Sequence, residues 1–352
     1  MIHLDEVTVP GRPDIDRLTF RHIRLPEDFT GMAAANQAAR DRAGIEEIAT
    51  PEQMARDYAT FQHWDPDADT VIAERDGRVV GYARTEWRDL TDGTRAFQAI
   101  VMVEPAQERT GIVEAMLSWV ETRLASIARS IPATETRPGT MRQYVFGSDV
   151  ELAELLEAHG WIRAGRSHEM TRPTLDEVPT VSLPAGLVVR PISADRAAWR
   201  SLWDAASEAF ADERGESEPS EADWERFAAD PLEDPSLWVV AFDGDEIAGG
   251  VLAKIDPAEN AHHGRERGIV AAVFTRRPWR RRGLARALIA RALVRLRDHG
   301  MTSAYLGVDG LNPNQAMHLY EDLGFEIANT TYDWIRPLPD PSGTGTAHRG
   351  AT

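Results

Sequence analysis

The chain contains no cysteine, and Lys254 is its only lysine among 39 basic residues. The absence of cysteine excludes disulfides, thiolate nucleophiles and Cys-ligated zinc, so any catalysis must use other groups. No stretch approaches about 18 uninterrupted apolar residues, and the N-terminus lacks a basic segment followed by an apolar one. The sequence therefore predicts neither a spanning helix nor a secretory signal, and we expect a cytoplasmic protein.

Positive charge is also scarce, because 57 acidic residues outnumber 39 basic ones and give a formal net charge of −18. Binding to nucleic acid or to an anionic membrane requires a basic surface, so we expect neither partner. The hydrophobic fraction of 42% is typical of a globular chain. A length of 352 residues exceeds what one core usually holds, which predicts two domains.

The two expected domains resemble one another in sequence. Three pairs of segments recur in the same order: a strand, turn and strand around an Asp-Gly pair, a loop that opens an apolar-periodic helix, and a helix end with a glycine stop. These pairs are 70–84 and 237–251, 105–116 and 277–288, and 155–161 and 319–325. Because the interval is too long for a solenoid repeat, the sequence indicates a duplicated domain.

A proline-rich segment without helical periodicity separates the two copies. We divide the chain into an N-terminal extension (1–17), a first domain (18–172), a linker (173–186), a second domain (187–338) and a disordered tail (339–352). In each domain the predicted order is a strand, one or two helices, a hairpin, a long strand, a helix, a strand, a helix and a last strand. This order predicts an α/β (α+β) fold, each domain a mixed, mostly antiparallel twisted sheet flanked by helices.

The segment 268–289 carries the clearest chemical signal: a strand, a basic loop and then a helix. Gly283 at the helix start lets a ligand approach the backbone, and the free amides there attract phosphate. Five arginines surround it, namely Arg276, Arg277, Arg280, Arg281 and Arg282. We expect a phosphate-rich ligand at this loop.

The second domain resembles the GNAT acyltransferase superfamily. The acyl-CoA signature of that family matches Arg280, Gly283 and Ala285. A later family segment matches Asn312, Ala316, Leu319, Tyr320, Gly324 and Phe325. The resemblance implies acetyl-CoA as co-substrate, a small-molecule amine as acceptor and no metal.

The resemblance also assigns roles to individual residues. The backbone of Val273, Phe274 and Thr275 would bond the pantetheine arm as an added strand does, and Asn312 would bond the CoA chain. Tyr320 would act as general acid toward the departing thiolate. The pyrophosphate would be held by the amides of Arg280, Arg281, Arg282, Gly283, Leu284, Ala285 and Arg286, with arginine side chains adding charge.

The general base is left open, because no pattern identifies it. Glu266 begins the strand of the signal segment, Asp309 ends the next strand, and a water chain to bulk solvent is the third candidate. The expected mechanism is direct transfer within a ternary complex, with no covalent acyl-enzyme.

The first domain departs from the family pattern where the chemistry matters. Glu108 stands in place of the Gln or Arg, Val113 in place of the second small residue, and Leu156 in place of the tyrosine. A carboxylate repels pyrophosphate and leucine cannot donate a proton. We therefore predict a catalytically silent copy, and leave open whether it binds CoA weakly, completes the acceptor pocket or serves only as a structural partner.

The acceptor is suggested by a run of eleven carboxylates between Glu208 and Asp234, which could steer a polycationic amine. Trp203, Trp224 and Trp238 are candidates for the pocket wall. The tandem layout is also similar to that of the mycothiol synthases, which acetylate a cysteinyl amine, and a non-catalytic acyl-CoA sensor or scaffold is a further alternative. The oligomeric state is left open. His262 and His263 are expected in a solvated turn rather than in a metal site.

Overall fold

The structure is a computed structural model that describes residues 5–132, 135, 137–211, 218–310 and 316–338. The predicted disordered tail 339–352 lies outside these residues. Among the residues described, no helix combines the length and the apolar character needed to cross a bilayer.

Both halves follow the predicted order of elements except for two additional short helices, a third one before the first hairpin and one between the second hairpin and the long strand that follows it. The first half consists of β1 (Leu18–Arg21), α1 (Asp28–Ala43), α2 (Pro51–Tyr58), α3 (Pro66–Asp69), β2 (Thr70–Arg75), β3 (Arg78–Asp89), β4 (Arg95–Val103), α4 (Ile112–Ser130), β5 (Gly139–Phe146), α5 (Val150–Ala158) and β6 (Ile162–Arg172). The second half consists of β7 (Val188–Arg190), α6 (Arg196–Phe210), α7 (Glu221–Ala229), β8 (Val239–Asp243), β9 (Glu246–Ile255), α8 (Pro257–His263), β10 (Arg267–Thr275), α9 (Leu284–Asp298), β11 (Ser303–Asp309), α10 (Ala316–Glu321) and β12 (Glu326–Pro337).

Local signals in the sequence set several of these boundaries. Thr50 caps α2 by accepting a hydrogen bond from the Gln53 amide, and Ser220 forms a capping box with Asp223 at the start of α7. The two hairpins differ in their turns. In the first hairpin the turn consists of the Asp-Gly pair, Asp76 and Gly77. In the second hairpin Asp243 still pairs with Glu246, so the turn consists of Gly244 and Asp245, one residue later than the Asp-Gly pair.

The two halves share one sheet, in the strand order β1-β2-β3-β4-β5-β12-β6-β11-β10-β9-β8-β7. Each half contains one parallel pair, β4 with β5 and β10 with β11, among antiparallel neighbours. This confirms the mixed, mostly antiparallel α/β fold. The sequence did not indicate that the halves exchange their last strands: β12 pairs with β5 of the first half, and β6 pairs with β11 of the second.

The exchanged strands also supply core residues to the opposite half. Trp334 of β12 is 5% exposed and packs in the first-half core with Trp161 and Met141. Met170 of β6 is fully buried in the second-half core with Leu306 and Phe325. Burying such side chains is worth about 1.5–3 kcal/mol each. Each half is therefore completed by the other in both backbone pairing and core packing.

Candidate functional site

The parallel strands β10 and β11 separate soon after they begin. Arg267–Ile269 pair with Ser303–Tyr305, and no further pair joins the two strands. β10 continues to Thr275, paired only with β9 among the described strands, and its register shifts between Val270 and Ala272. The backbone of the predicted contacts Val273, Phe274 and Thr275 therefore faces a gap on the side away from β9. A ligand that binds as an added strand needs such free backbone groups.

A basic loop joins the end of β10 to α9. After a short 3-10 helix, Arg277–Trp279, the backbone turns through Arg281 and Gly283, whose φ angles are +59° and +79°. A Cβ atom placed on Gly283 would meet no atom of the described residues within 4 Å. Among the described residues, the first backbone bond of α9 runs from the Ala287 amide to the Gly283 carbonyl.

The amides of residues 281–286 consequently donate no hydrogen bond within the described chain. Together with the positive end of the α9 dipole, they form a cradle suited to an anion. These are six of the seven residues predicted to hold the pyrophosphate.

The arginine side chains of the loop divide into two groups. Arg280 donates to the carbonyls of Thr275 and Ala209, both at 2.9 Å, and so ties the loop to β10 and α6. Arg276 pairs with Glu208 at 2.7 Å. By contrast, the exposed guanidinium of Arg281 has no hydrogen bond or ion pair within the described residues, and that of Arg286 forms an exposed ion pair with Asp322. Arg281 is therefore available to an incoming anion, whereas Arg286 would have to exchange its contact with Asp322.

The predicted acid, Tyr320, lies in α10 and is 7% exposed. Its ring meets that of Phe325 edge-on, with centroids 6.0 Å apart. The predicted contact Asn312 lies outside the described residues.

The two carboxylate candidates for the general base lie at different ends of the strands. Glu266 is exposed and precedes β10, nine residues from Thr275, or about 30 Å along an extended strand. Asp309 ends β11, at the same end of the parallel pair as Thr275, opposite Ser167 of β6. Strand geometry therefore favours Asp309 over Glu266.

The equivalent loop of the first half has the same backbone but different contacts. A 3-10 helix at Pro105–Gln107 leads through Arg109 (φ +54°) to Gly111 (φ +88°) at the start of α4. The Arg109 amide donates to the carboxylate of Glu151 at 2.8 Å. A carboxylate of the chain itself therefore accepts from this loop amide in the first half.

Two further features close the first-half loop. Glu108 forms an ion pair with Arg42 of α1, and a Cβ on Gly111 would lie 3.3 Å from Pro13 of the N-terminal segment. Four carboxylates line the small remaining hollow, which measures about 30 Å³: Glu104, Glu108, Asp149 and Glu151.

A cavity of about 1230 Å³ lies where the two halves meet. The first half lines it with residues of 47–60 and with Thr91, and the second half with α6, α7, the segment 229–233, β9, β10 and Tyr305. The described lining contains eight carboxylates and three basic side chains. The carboxylates are Glu47, Asp57, Asp223, Glu225, Asp230, Glu233, Asp256 and Glu259, and the bases are Arg56, Arg226 and Lys254.

Contacts between the halves hold the first-half wall of this cavity in place. Glu46 forms ion pairs with both Arg265 and Arg267, and Asn329 donates to the Gly44 carbonyl at 2.7 Å. Since Ala271 and Ala272 of β10 also line the cavity, it opens onto the separated part of the strand pair. The cavity thus gives access to one side of β10 and is walled by both halves.

Sequence reasoning missed a buried ion-pair group in this wall. The ammonium of Lys254 lies 2.7 Å from Asp230 and 2.7 Å from Glu233. Burial raises the pKa of the Glu233 carboxyl above its ordinary value, while Lys254 opposes that shift. Burial alone would lower the pKa of Lys254, but the two carboxylates outweigh it and raise that pKa. The one lysine in an arginine-rich chain was the available signal.

The other acceptor candidates are distributed differently. Trp203 lines the cavity, whereas Trp224 and Trp238 are 3% and 1% exposed. Of the eleven carboxylates, Asp223, Glu225, Asp230 and Glu233 reach the cavity, and Asp212, Glu213 and Glu216 lie outside the described residues.

His262 and His263 end helix α8 instead of forming a turn, because Asp256 caps that helix and Pro257 begins it.

A model of the acetyltransferase (GNAT) family matches residues 31–140 and 199–325. The match covers more than half of the sequence and recurs once in each half. The chain therefore belongs to this family, and it is an N-acetyltransferase. Enzymes of the family use acetyl-CoA in general.

Similar proteins span nearly the whole chain. A mycothiol acetyltransferase of Geodermatophilus obscurus is 28% identical over 330 residues, which cover 92% of this chain and 97% of that protein. One of Salinispora tropica is 29% identical over 81% of this chain and 92% of its own length.

Solved structures share the fold. A GCN5-related N-acetyltransferase from Sphaerobacter thermophilus has a TM-score of 0.67 at 22% identity, covering 93% of this chain and 97% of that one. A tandem GNAT protein from the clavulanic acid biosynthesis pathway has a TM-score of 0.59 at 17% identity, covering 92% and 99%. The tandem arrangement is thus common to this chain and that protein.

Proposed function

We propose that the chain transfers an acetyl group from acetyl-CoA to a primary amine of a small molecule, and that the second half performs the reaction. The observation that carries this proposal is the difference between the two loops. The amides of 281–286 are open to an anion, whereas Glu151 fills the equivalent place in the first half. We retain the sequence boundaries 18–172 and 187–338 as the two domains of this scheme, with their last strands exchanged.

The residues present fit the co-substrate. In this proposal the backbone of Val273, Phe274 and Thr275 binds the pantetheine arm along the free side of β10. The amides of Arg280, Arg281, Arg282, Gly283, Leu284, Ala285 and Arg286 hold the pyrophosphate, and Asn312 adds a bond to the CoA chain. Bound acetyl-CoA supplies an acetyl group activated as a thioester.

The chain's own groups then assist transfer. The attacking amine approaches from the cavity between the halves, and a backbone amide near Phe274 or Thr275 polarises the thioester carbonyl. Tyr320 gives its proton to the departing sulfur, because a phenol of pKa about 10 is close in acidity to a thiol of about 8.5. A base removes the proton of the amine; strand geometry supports Asp309 over Glu266 in that role, and a water chain is the other candidate.

Direct transfer without an acyl-enzyme is the expected mechanism, and the lack of cysteine is consistent with it. Initial rates measured against both substrates distinguish the two routes. Intersecting double-reciprocal lines are expected for a ternary complex, and parallel lines would indicate a covalent acyl-enzyme. An acceptor-free incubation with labelled acetyl-CoA should leave the protein unlabelled.

Acetylation of a cysteinyl amine, as in mycothiol synthesis, is the second candidate. It is favoured by the mycothiol acetyltransferases that resemble nearly the full chain. The strongly acidic cavity favours instead an acceptor with more than one positive charge. Release of CoA thiol, measured with a cysteinyl glycoside and with a linear diamine, separates the candidates. Tight acetyl-CoA binding without turnover on any amine would favour a sensor or scaffold.

A further inference from the structure

The segment that leads into helix α7 is bonded to the first half at two points. The Glu218 amide donates to the Asp89 carbonyl at 3.0 Å, and the Glu218 carboxylate accepts from Arg137 at 2.7 Å. Two residues later, the side-chain amide of Gln62 donates to the hydroxyl of Ser220. Three hydrogen bonds between the halves therefore converge on the few residues that precede α7.

This contact lies at the edge of the cavity. Pro219 lines the cavity from the second half, and Thr91, two residues after Asp89, lines it from the first half. Helix α7, which begins directly after the contact, adds Asp223 and Arg226 to the lining. The contact thus joins the two walls beside the residues that α7 places in the cavity.

The first-half side of the contact has a buried support. Arg95, whose side chain is 5% exposed, donates to the Asp89 carboxylate at 2.6 Å, and its guanidinium lies 4.1 Å from the centre of the Trp87 ring. His63 stacks on the same ring, with centroids 3.5 Å apart. The hydrogen bond from Arg95 lowers the pKa of Asp89, so this carboxylate stays charged and pairs with Arg137 at 3.5 Å.

The Ser220 hydroxyl connects the contact to charged side chains in the cavity. It accepts from Gln62 and from the Asp223 amide, and it donates to the Asp223 carboxylate at 2.6 Å. The other carboxylate oxygen of Asp223 accepts from Arg226 at 2.8 Å. Because a hydroxyl has one donor and two acceptor positions, these bonds satisfy it fully. A chain of hydrogen bonds therefore runs from the first half to two side chains that line the cavity.

The contact adds little to the stability of the fold. The side chains of Arg137 and Glu218 are 34% and 51% exposed, and exposed ion pairs contribute little to stability in water. Bonds at both Glu218 and Ser220 instead fix where α7 begins relative to the first half. Their main effect is geometric, and it falls on the cavity wall.

We propose that Gln62 and Arg137 are positioning residues for the acceptor, because they hold α7 in place and orient the Asp223–Arg226 pair in the cavity. This inference rests on the proposed acetyl transfer, and it makes the first half a determinant of acceptor affinity without a part in the chemistry. None of the residues proposed to bind acetyl-CoA forms the contact. We therefore expect acetyl-CoA affinity to be independent of it.

Steady-state rates of the full chain at saturating acetyl-CoA test the inference, with 1,4-diaminobutane and a cysteinyl glycoside as acceptors. In the double variant Gln62→Ala/Arg137→Gln, the KM for the amine that the wild type acetylates should rise about tenfold, with kcat changed less than about twofold. A structural role alone would reduce the folded fraction, which lowers kcat and leaves KM unchanged. The Kd for acetyl-CoA, measured by calorimetry, should equal that of the wild type.

Arg17→Gln is the matched control. It removes another exposed ion pair of the first half, with Asp76 at 2.9 Å, and neither residue lines the cavity. Its acceptor KM should equal that of the wild type.

Amide hydrogen exchange, followed by mass spectrometry, reports on α7 without an acceptor. The double variant should exchange faster over residues 218–229, because the bonds that hold the start of this helix are gone. Exchange in α9, which takes no part in the contact, should be unchanged.

Two outcomes would overturn the inference: an acceptor KM in the double variant equal to that of the wild type, and equal exchange over residues 218–229. Failure of the wild type to acetylate either amine while it binds acetyl-CoA would instead refute the proposed function. The acceptor role would then fall with it, whereas faster exchange would still establish that the first half holds α7.

Discussion

The loops 105–111 and 277–283 share one backbone path and differ in what fills it. Each has a 3-10 turn, an arginine at positive φ and a glycine at the helix start. In the first half Glu151 accepts from the loop amide and Glu108 pairs with Arg42. In the second half the corresponding amides have no partner among the described residues, and arginines surround them. The two loops therefore share the backbone geometry of an anion cradle, while their side chains differ in whether they fill it.

The first copy has kept a role despite its closed loop. Its residues 47–60 form one wall of the cavity, and its last strand completes the second-half sheet. The second half therefore needs the first half for its own structure.

Expression of the halves apart should have the largest effect. Chains 1–180 and 181–352 each lack the strand that completes their sheet, so neither should show cooperative thermal unfolding by circular dichroism. Coexpressed, they should purify together and regain a cooperative transition. A first-half chain that melts alone like the full protein would show that strand exchange is dispensable.

Gly283→Glu should weaken acetyl-CoA binding at least about 100-fold, because like charges brought together cost several kcal/mol. Calorimetry measures the affinity and stoichiometry. Gly283→Ala is the matched control, because it introduces the same positive-φ strain without the charge. We expect it to lose much less acetyl-CoA affinity than Gly283→Glu. A site unaffected by Gly283→Glu, or two sites in the wild type, would contradict the assignment of a closed first half.

Tyr320→Phe should lower turnover at least about tenfold with little change in acetyl-CoA affinity, because proton delivery contributes about 10²- to 10⁴-fold. The equivalent first-half position is Leu156, which cannot donate a proton. Tyr332→Phe, in β12 and away from the cavity lining, is the control and should retain wild-type turnover. Unchanged turnover in Tyr320→Phe would remove this residue from the mechanism.

The smallest effect is expected from Glu151→Gln in the closed loop. A neutral acceptor replaces a charged one at the Arg109 amide, which should lower the free energy of unfolding by roughly 0.5–1 kcal/mol. Chemical denaturation of the full chain measures this change. A gain of a second acetyl-CoA site in the variant would mean that Glu151 alone keeps the first half closed.

The order of elements was predictable because its signals are local. Thr50 and Ser220 mark helix starts, and the apolar periodicity of α4 and α9 predicts their buried faces. The second hairpin turn was misplaced by one residue, because the choice between neighbouring turn positions depends on the pairing of both strands. The loop cradle was predictable in outline, since a glycine at a helix start among arginines has a direct physical meaning.

The cavity between the halves was not predictable in the same way. Glu233 was one of eleven carboxylates in a run, and nothing in its sequence context distinguishes it from the exposed ones. Only packing against β9 buries it beside Lys254, and only the first half encloses the space before it.

The sequence by itself determined that this protein is a duplicated α/β chain with one basic, glycine-opened loop and one acidic counterpart. Those features depend on residue type and on the spacing between residues that are close together in the sequence. The tertiary structure decided that β6 and β12 change places, that Glu151 occupies the first loop, and that both halves wall one cavity. These depend on contacts between residues far apart in the chain, whose free energies are known only once the whole sheet is assembled.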